Sequence, residues 1–241
     1  MTFSYKNAMI IAVNLILRSP CYDLSRLCRP CTRRSGSARA ILRYGTPVSG
    51  QPELGTRGGQ GRPRGNGARH RAGAALTGAS PAEVIFTSGA TEANNLAIKG
   101  IAQASRHIGK HIISTPLEHS SVSGSLTALQ ERGWEIDPLS IGRDGTVDPE
   151  EVRELLRPDT VLVAICAVDS ELGTIQPIPE IAALLADHPN CRLHVDATQA
   201  IGRIPVDFSG IDTLSFAPHK FGGICGSGVL LKRSRMPLEP R

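Results

Sequence analysis

Aromatic residues are scarce in this chain: one Trp, three Tyr and five Phe among 241 residues. Surfaces that bind single-stranded nucleic acid interleave stacking aromatics with basic residues. The scarcity therefore argues against a nucleic-acid partner, even where basic residues are dense. Acidic residues are nearly missing from the N-terminal third. Met1–Ala75 holds thirteen Lys and Arg against two Asp and Glu, a net of +11; Leu76–Arg241 holds fourteen against twenty, a net of −6. The overall +5 averages two unlike regions. The basic stretch is rich in Gly, Pro and Arg with little apolar periodicity, which is the composition of a poorly ordered arm.

Cysteine is sparse too, with six scattered residues. They make no disulfide framework, so a reducing cytoplasm is the expected location. Cys28-x-x-Cys31 has the spacing of metal ligands, but no second pair follows it, and no metal is expected. Long apolar runs are lacking. Ala8–Leu17 is interrupted by Asn14 and is too short to span a bilayer, and no small-x-small cleavage site follows it. No membrane association is expected.

From about Leu76 the character changes. Val84–Thr87, His111–Thr115, Val161–Val168, Leu193–Val195 and Leu214–Pro218 read as buried strands. Helical spacing is predicted over Thr91–His107, Val122–Arg132 and Pro177–Asp187, and Asp144-Gly145 signals a turn. Strands alternating with helices predict an α/β domain around a mostly parallel sheet, with ligands beyond the carboxyl ends of the strands. The expected organisation is a basic arm over 1–75, a ligand-binding domain over 76–235 and a short tail over 236–241.

Chemistry concentrates at those strand ends. Asp196-Ala197-Thr198-Gln199 follows one strand and His219-Lys220 another. A lysine amine near a buried carboxylate is the pair that pyridoxal phosphate (PLP) requires: the amine forms a Schiff base, and the carboxylate keeps the pyridine nitrogen protonated. Ser88-Gly89-Ala90-Thr91, between strand and helix, suits an anion at a helix N-terminus, or Thr91 is simply an N-cap. His119 opens another helix; an imidazole there can stack and carry protons, or it is a surface residue. Asp196 could equally cap a helix at its strand end. His194 reads as a packing residue, and Cys166 and Cys191 as small apolar core residues.

The segments Leu193–Gly202 (LHVDATQAIG), Leu214–Gly223 (LSFAPHKFGG), Phe86–Gly100 (FTSGATEANNLAIKG), Glu118–Val122 (EHSSV) and Glu171–Pro177 (ELGTIQP) resemble the class V aminotransferase superfamily. Within it they are most similar to cysteine desulfurases of the NifS/IscS type. The resemblance runs from about Leu76 to Lys232 in family order. It implies the large domain of a fold type I PLP-dependent transferase, with PLP as cofactor. Ala90 and Thr91 would hold the phosphate, with His219 on the same side. His119 would stack on the ring, Asp196 would pair with its nitrogen, Gln199 would bond its hydroxyl, and Lys220 would carry the cofactor. The reaction implied converts L-cysteine to L-alanine and passes sulfur to an enzyme cysteine as a persulfide, for iron–sulfur cluster assembly. It also implies a homodimer and an iron–sulfur scaffold protein as partner. Other class V activities, selenocysteine lyase or aminotransferase, share these cofactor motifs, and a non-catalytic interaction module is the reading from another class.

Departures from the family pattern bear on these expectations. Ser170 stands where the family has an asparagine that contacts cofactor and substrate, and a hydroxyl lacks the reach of an amide. Ala217 replaces a phosphate-binding serine and Pro218 a small residue, while Ile224-Cys225 interrupts a Gly-Pro-Lys-Gly turn. A weaker phosphate grip is expected, on the order of 1 kcal/mol per lost hydrogen bond. The family's N-terminal strand motif is not recognisable before Leu76. That arm is either read out of frame, with the frame restored near Ala74, or a genuine low-complexity segment. The family's small C-terminal domain and its mobile-loop cysteine are missing from this sequence, and Cys225 is too close to Lys220 to replace that cysteine. The chain alone is expected not to complete the reaction.

Overall fold

Seven short strands, six of them mainly apolar and one edge strand charged, pair into one sheet among the described residues. The computed structural model describes residues 63–238. In chain order the elements are α1 (Pro63–Ala75), β1 (Val84–Thr87), α2 (Ala90–Ser105), β2 (His111–Ser114), α3 (Ser120–Gln130), β3 (Glu135–Pro138) and α4 (Pro149–Leu155). They continue with β4 (Thr160–Cys166), α5 (Ile178–Leu185), β5 (Arg192–Asp196), β6 (Thr213–Phe216) and β7 (Gly228–Lys232). The strand order is β1-β7-β6-β5-β4-β2-β3. Strands β3, β2, β4, β5 and β6 are mutually parallel, and β7 runs antiparallel to both of its neighbours. The α/β reading of the sequence and its mostly parallel sheet are therefore correct.

The two-residue period of a strand explains the layers. Along β4, Val163 and Ile165 enter one apolar cluster with Ala72, Val152, Ile181 and Leu185 of α1, α4 and α5. The intervening Leu162 and Ala164 enter a second cluster with Ile98 and Ile101 of α2 and Val122 and Leu126 of α3. Every residue of β4 is buried. That is why its sequence, TVLVAIC, is apolar without alternation.

Register places the functional ends together. Cys166 pairs with Asp196, and Asp196 with Ser215, so β4, β5 and β6 finish side by side. Because β7 is reversed, its first residue, Gly228, lies beside Thr87 at the end of β1. A Cβ on Gly228 would fall 2.4 Å from the Gly89 backbone. A glycine is therefore needed for β7 to reach the turn that opens α2.

Helix α1 falls inside the arm expected to be poorly ordered, and its Ala72 and Ala74 join the core against Val84. Its residues PRGNGARHRAGAA carry almost no large apolar side chain, so periodicity gave no signal. The earlier arm, including Cys28, Cys31 and the Ala8–Leu17 run, lies outside the described residues.

Candidate cofactor site

Asp196 closes β5 as a buried carboxylate. Its Oδ1 accepts the backbone N–H of Thr198 at 2.9 Å and its Oδ2 accepts Asn94 Nδ2 at 2.7 Å. The capping reading is thus half right: one oxygen organises the turn that follows, and the other is held by α2. No Lys or Arg forms an ion pair with Asp196 among the described residues. Asn94 also bonds Ser121 Oγ, His194 and Ser215. His194, read from sequence as a packing residue, is fully buried but hydrogen-bonded at both ring nitrogens, to Thr213 and to Asn94. Burial holds its pKa down at about 4, against a smaller opposing effect of Asp196, so the ring is neutral at pH 7.

His119 is the N-cap of α3, exposed, with Nδ1 accepting the Ser121 N–H at 3.1 Å and lying 2.8 Å from Ser121 Oγ. Just before it, Glu118 is buried. Its Oε1 accepts from Cys166 N at 2.7 Å and Thr115 Oγ1 at 2.9 Å, while its Oε2 has no partner among the described residues. Burial pushes its pKa to about 8 despite those two bonds, with Asp196 adding to the rise. A second buried polar atom, Thr198 Oγ1, is likewise unpartnered. Neither Glu118 nor Asn94 was singled out from sequence. Both lie inside stretches quoted for other residues, and nothing local marks a glutamate or asparagine as buried.

The lysine end is built differently. Strand β6 stops at Phe216, and Pro218 opens a 3-10 turn, Pro218–Phe221, that Gly222 closes at φ 94°. His219 and Lys220 are both exposed on that turn. The strand expected over Leu214–Pro218 ends at Phe216, so the chain leaves the sheet before reaching the lysine and Lys220 faces solvent. Partial burial first, then Lys220, lowers the His219 pKa. Arg203 ties the turn down: it donates to Gln199 Oε1 at 2.8 Å, to Gln199 O at 2.8 Å and to Lys220 O at 2.9 Å. Ala217 is fully buried, and Pro218 offers no N–H, so this turn presents few donors to an anion.

Beside the start of β7, α2 begins with Gly89 as N-cap and no side-chain cap, leaving the first-turn N–H groups of Ala90 and Thr91 without a capping side chain. Thr91 is exposed within the first turn, so it is not the N-cap. Ser170 is exposed at the tip that follows β4. Its neighbour Asp169, buried, shapes that tip by accepting the N–H groups of Glu171 and Leu172.

The sequence matches a described family over residues 40–240, Aminotransferase class-V. The chain belongs to that family. A NifS/IcsS protein homolog of Lactobacillus delbrueckii subsp. bulgaricus is 46% identical over 168 residues, covering 68% of this chain and 44% of the relative. The mitochondrial cysteine desulfurase of Arabidopsis thaliana is 46% identical over 171 residues, covering 69% of this chain and 38% of the relative. Among solved structures, a NifS-like protein superposes with a TM-score of 0.79 at 31% identity, covering 87% of this chain and 58% of the other. DndA of Streptomyces lividans superposes with 0.76 at 39% identity, covering 89% and 63%. The chain thus spans less than half the length of these curated relatives. Its fold is that of the PLP-dependent class V enzymes. Among the described residues no helix is long and apolar enough to cross a membrane, and no cluster of His, Cys, Asp and Glu could hold a metal ion.

Proposed function

We propose that this stretch is the cofactor-binding large domain of a PLP-dependent cysteine desulfurase. The observation that carries the reading is Asp196: a buried carboxylate, fixed by two donors, without a cationic partner among the described residues. Burying an anion is unfavourable unless a cation or further donors meet it, and a protonated pyridine supplies that cation. The unpartnered Glu118 Oε2 and Thr198 Oγ1 near the same carboxylate fit a site made for a further polar group.

In this reading Lys220 holds the cofactor, Asp196 keeps its ring nitrogen protonated, His119 covers the ring and Gln199 meets its hydroxyl. Arg203 occupies Gln199 Oε1, which leaves the amide N–H groups as the donors available to that hydroxyl. Ala90 and Thr91 take the phosphate at the start of α2, with His219 beside it, and Ser170 stands near the substrate. Bound PLP supplies an electron sink for chemistry at the substrate's α-carbon and β-substituent. L-cysteine is the proposed substrate; one structural relative is described as SspA in complex with cysteine. Sulfur would pass to an enzyme cysteine and on to an iron–sulfur scaffold, with alanine released. Cys166 and Cys191 are buried, and burial raises the pKa of both, that of Cys191 to about 12, so neither suits the role of nucleophile. These reduced core thiols suit a cytoplasmic setting. Leu172 and Ile175, 64% and 57% exposed, suit burial against a second copy in a homodimer.

The test is a titration of purified protein with PLP, followed by visible absorbance. A lysine-bound cofactor band is expected in the wild type and none in Lys220→Ala. A wild type without the band overturns the reading.

A further inference from the structure

The proposed roles of Asp196 and His119 leave unexplained the buried polar chain beneath them. Asn94, 0% exposed on α2, has its whole side chain engaged. Nδ2 donates to Asp196 Oδ2 at 2.7 Å and to Ser121 Oγ at 2.8 Å. Oδ1 accepts from His194 Nε2 at 3.1 Å and from the Ser215 hydroxyl. An ionised carboxylate only accepts, so the amide can sit one way round: its N–H groups face Asp196 and its oxygen faces His194.

That orientation fixes the protons on both sides. His194 is neutral, so Nε2 carries its proton and Nδ1 accepts from the Thr213 hydroxyl, 2.9 Å away. On the other side, Ser121 Oγ accepts from Asn94 and its own hydroxyl proton is free for His119 Nδ1 at 2.8 Å. That nitrogen already accepts the Ser121 N–H, so it is the unprotonated one, and neutral His119 carries its proton on Nε2. Donors therefore run in one direction, from Thr213 through His194, Asn94 and Ser121 to His119, with Asp196 as a branch. Such unidirectional chains strengthen each bond by polarising the next.

We propose that Asn94 is a positioning residue that orients the Asp196 carboxylate and, through Ser121, fixes the tautomer of His119. What this means for catalysis rests on the PLP reading. The coupling itself concerns only side chains of this chain, so the two can fail separately.

The first measurement is long-range 1H–15N NMR of the imidazoles in the cofactor-free protein. Wild type is expected to show His119 protonated at Nε2. In Ser121→Ala the ratio of Nδ1–H to Nε2–H should rise about ten-fold, the effect of one lost hydrogen bond. The isosteric Asn94→Asp should do the same from a distance, because the Ser121 hydroxyl then turns to the new carboxylate. An unchanged His119 tautomer in either folded variant overturns the coupling. The second measurement is PLP affinity by absorbance. Asn94→Leu, of similar size and without donors, should raise the dissociation constant ten-fold or more, by taking a charged hydrogen bond from Asp196, whereas Ser121→Ala should leave it within about two-fold. Equal losses in both variants would overturn the orienting role of Asn94. Wild-type protein that binds no PLP would sink the functional reading while the tautomer result still decides the coupling.

Discussion

The Asp196 end of the site and its Lys220 end are built on opposite plans. Asp196 lies at the end of a buried strand, between two other buried strand ends, and belongs to a hydrogen-bonded chain with no solvent contact at Asn94 or His194. Lys220 sits exposed on a 3-10 turn whose Pro218 is buried and whose Phe221 packs on the core, with Arg203 tying the Lys220 carbonyl to Gln199. The end proposed to set the cofactor's electronics is thus part of the core. The end proposed to make and break bonds is a side chain exposed to solvent on the turn that follows β6. A chemical lysine must change partners during turnover, and a side chain free of fixed partners suits that.

The largest expected effect tests this contrast by stability. Phe216, the last residue of β6, is fully buried against Phe221 and the core of Val195 and Leu214. Phe216→Ala should lower unfolding free energy by about 3–5 kcal/mol, read by denaturant titration. Lys220→Ala, four residues on, should change it by less than about 0.5 kcal/mol. Comparable losses would mean that the turn is as integral to the fold as the strand.

The same contrast explains what the sequence revealed. Parallel strands buried on both faces are written as continuous apolar runs, so β4 and β5 were legible within a residue or two. Strand β3 was not, because Glu135-Ile136-Asp137-Pro138 is charged and sits at the sheet edge, where one side needs no partner. Short α4 also escaped, since Pro149–Leu155 buries only Val152. Asp196 and Lys220 could be singled out because motif context marks them. Asn94, Glu118 and Arg203 could not, since their importance comes from partners 17 to 121 residues away in sequence. The apolar run Leu214–Pro218 suggests a strand extending to the lysine, whereas β6 ends at Phe216 and Pro218 opens a turn that leaves Lys220 exposed.

An intermediate effect sharpens the comparison through pH. Glu118 has a native pKa of about 8 against 4.5 for the ordinary group, so the native state binds the extra proton between those values. Its contribution to stability is present below pH 4.5 and is lost as pH rises through 8. His194 works in the other direction. Its native pKa of about 4 lies below the ordinary 6.5, so its contribution is present above 6.5 and is lost as pH falls towards 4. The two slopes oppose each other between pH 4.5 and 6.5, leaving stability nearly flat there and falling above it. Glu118→Gln should abolish the fall between pH 6.5 and 8, at most about 1.4 kcal/mol per pH unit. It should leave a rise with pH between 4 and 6.5 from His194. Urea titrations across pH 4–8 measure both. A wild-type stability that climbs steadily to pH 8 would contradict the buried neutral state of Glu118.

The smallest effect is expected at the lysine end. Arg203 is exposed, so its three hydrogen bonds to Gln199 and to Lys220 O compete with water. Arg203→Met keeps the aliphatic stem and should cost about 1 kcal/mol or less in global stability. Its consequence should be local. Without the guanidinium, Gln199 Oε1 loses its donor and the amide can rotate, while the Lys220 turn loses a tie to the turn after β5. Backbone hydrogen exchange over Lys220–Gly223 should quicken several-fold, with exchange in β5 and β6 unchanged. If exchange in the strands quickens equally, the two ends of the site are one cooperative unit. The lysine turn would then open only with the strands, not ahead of them.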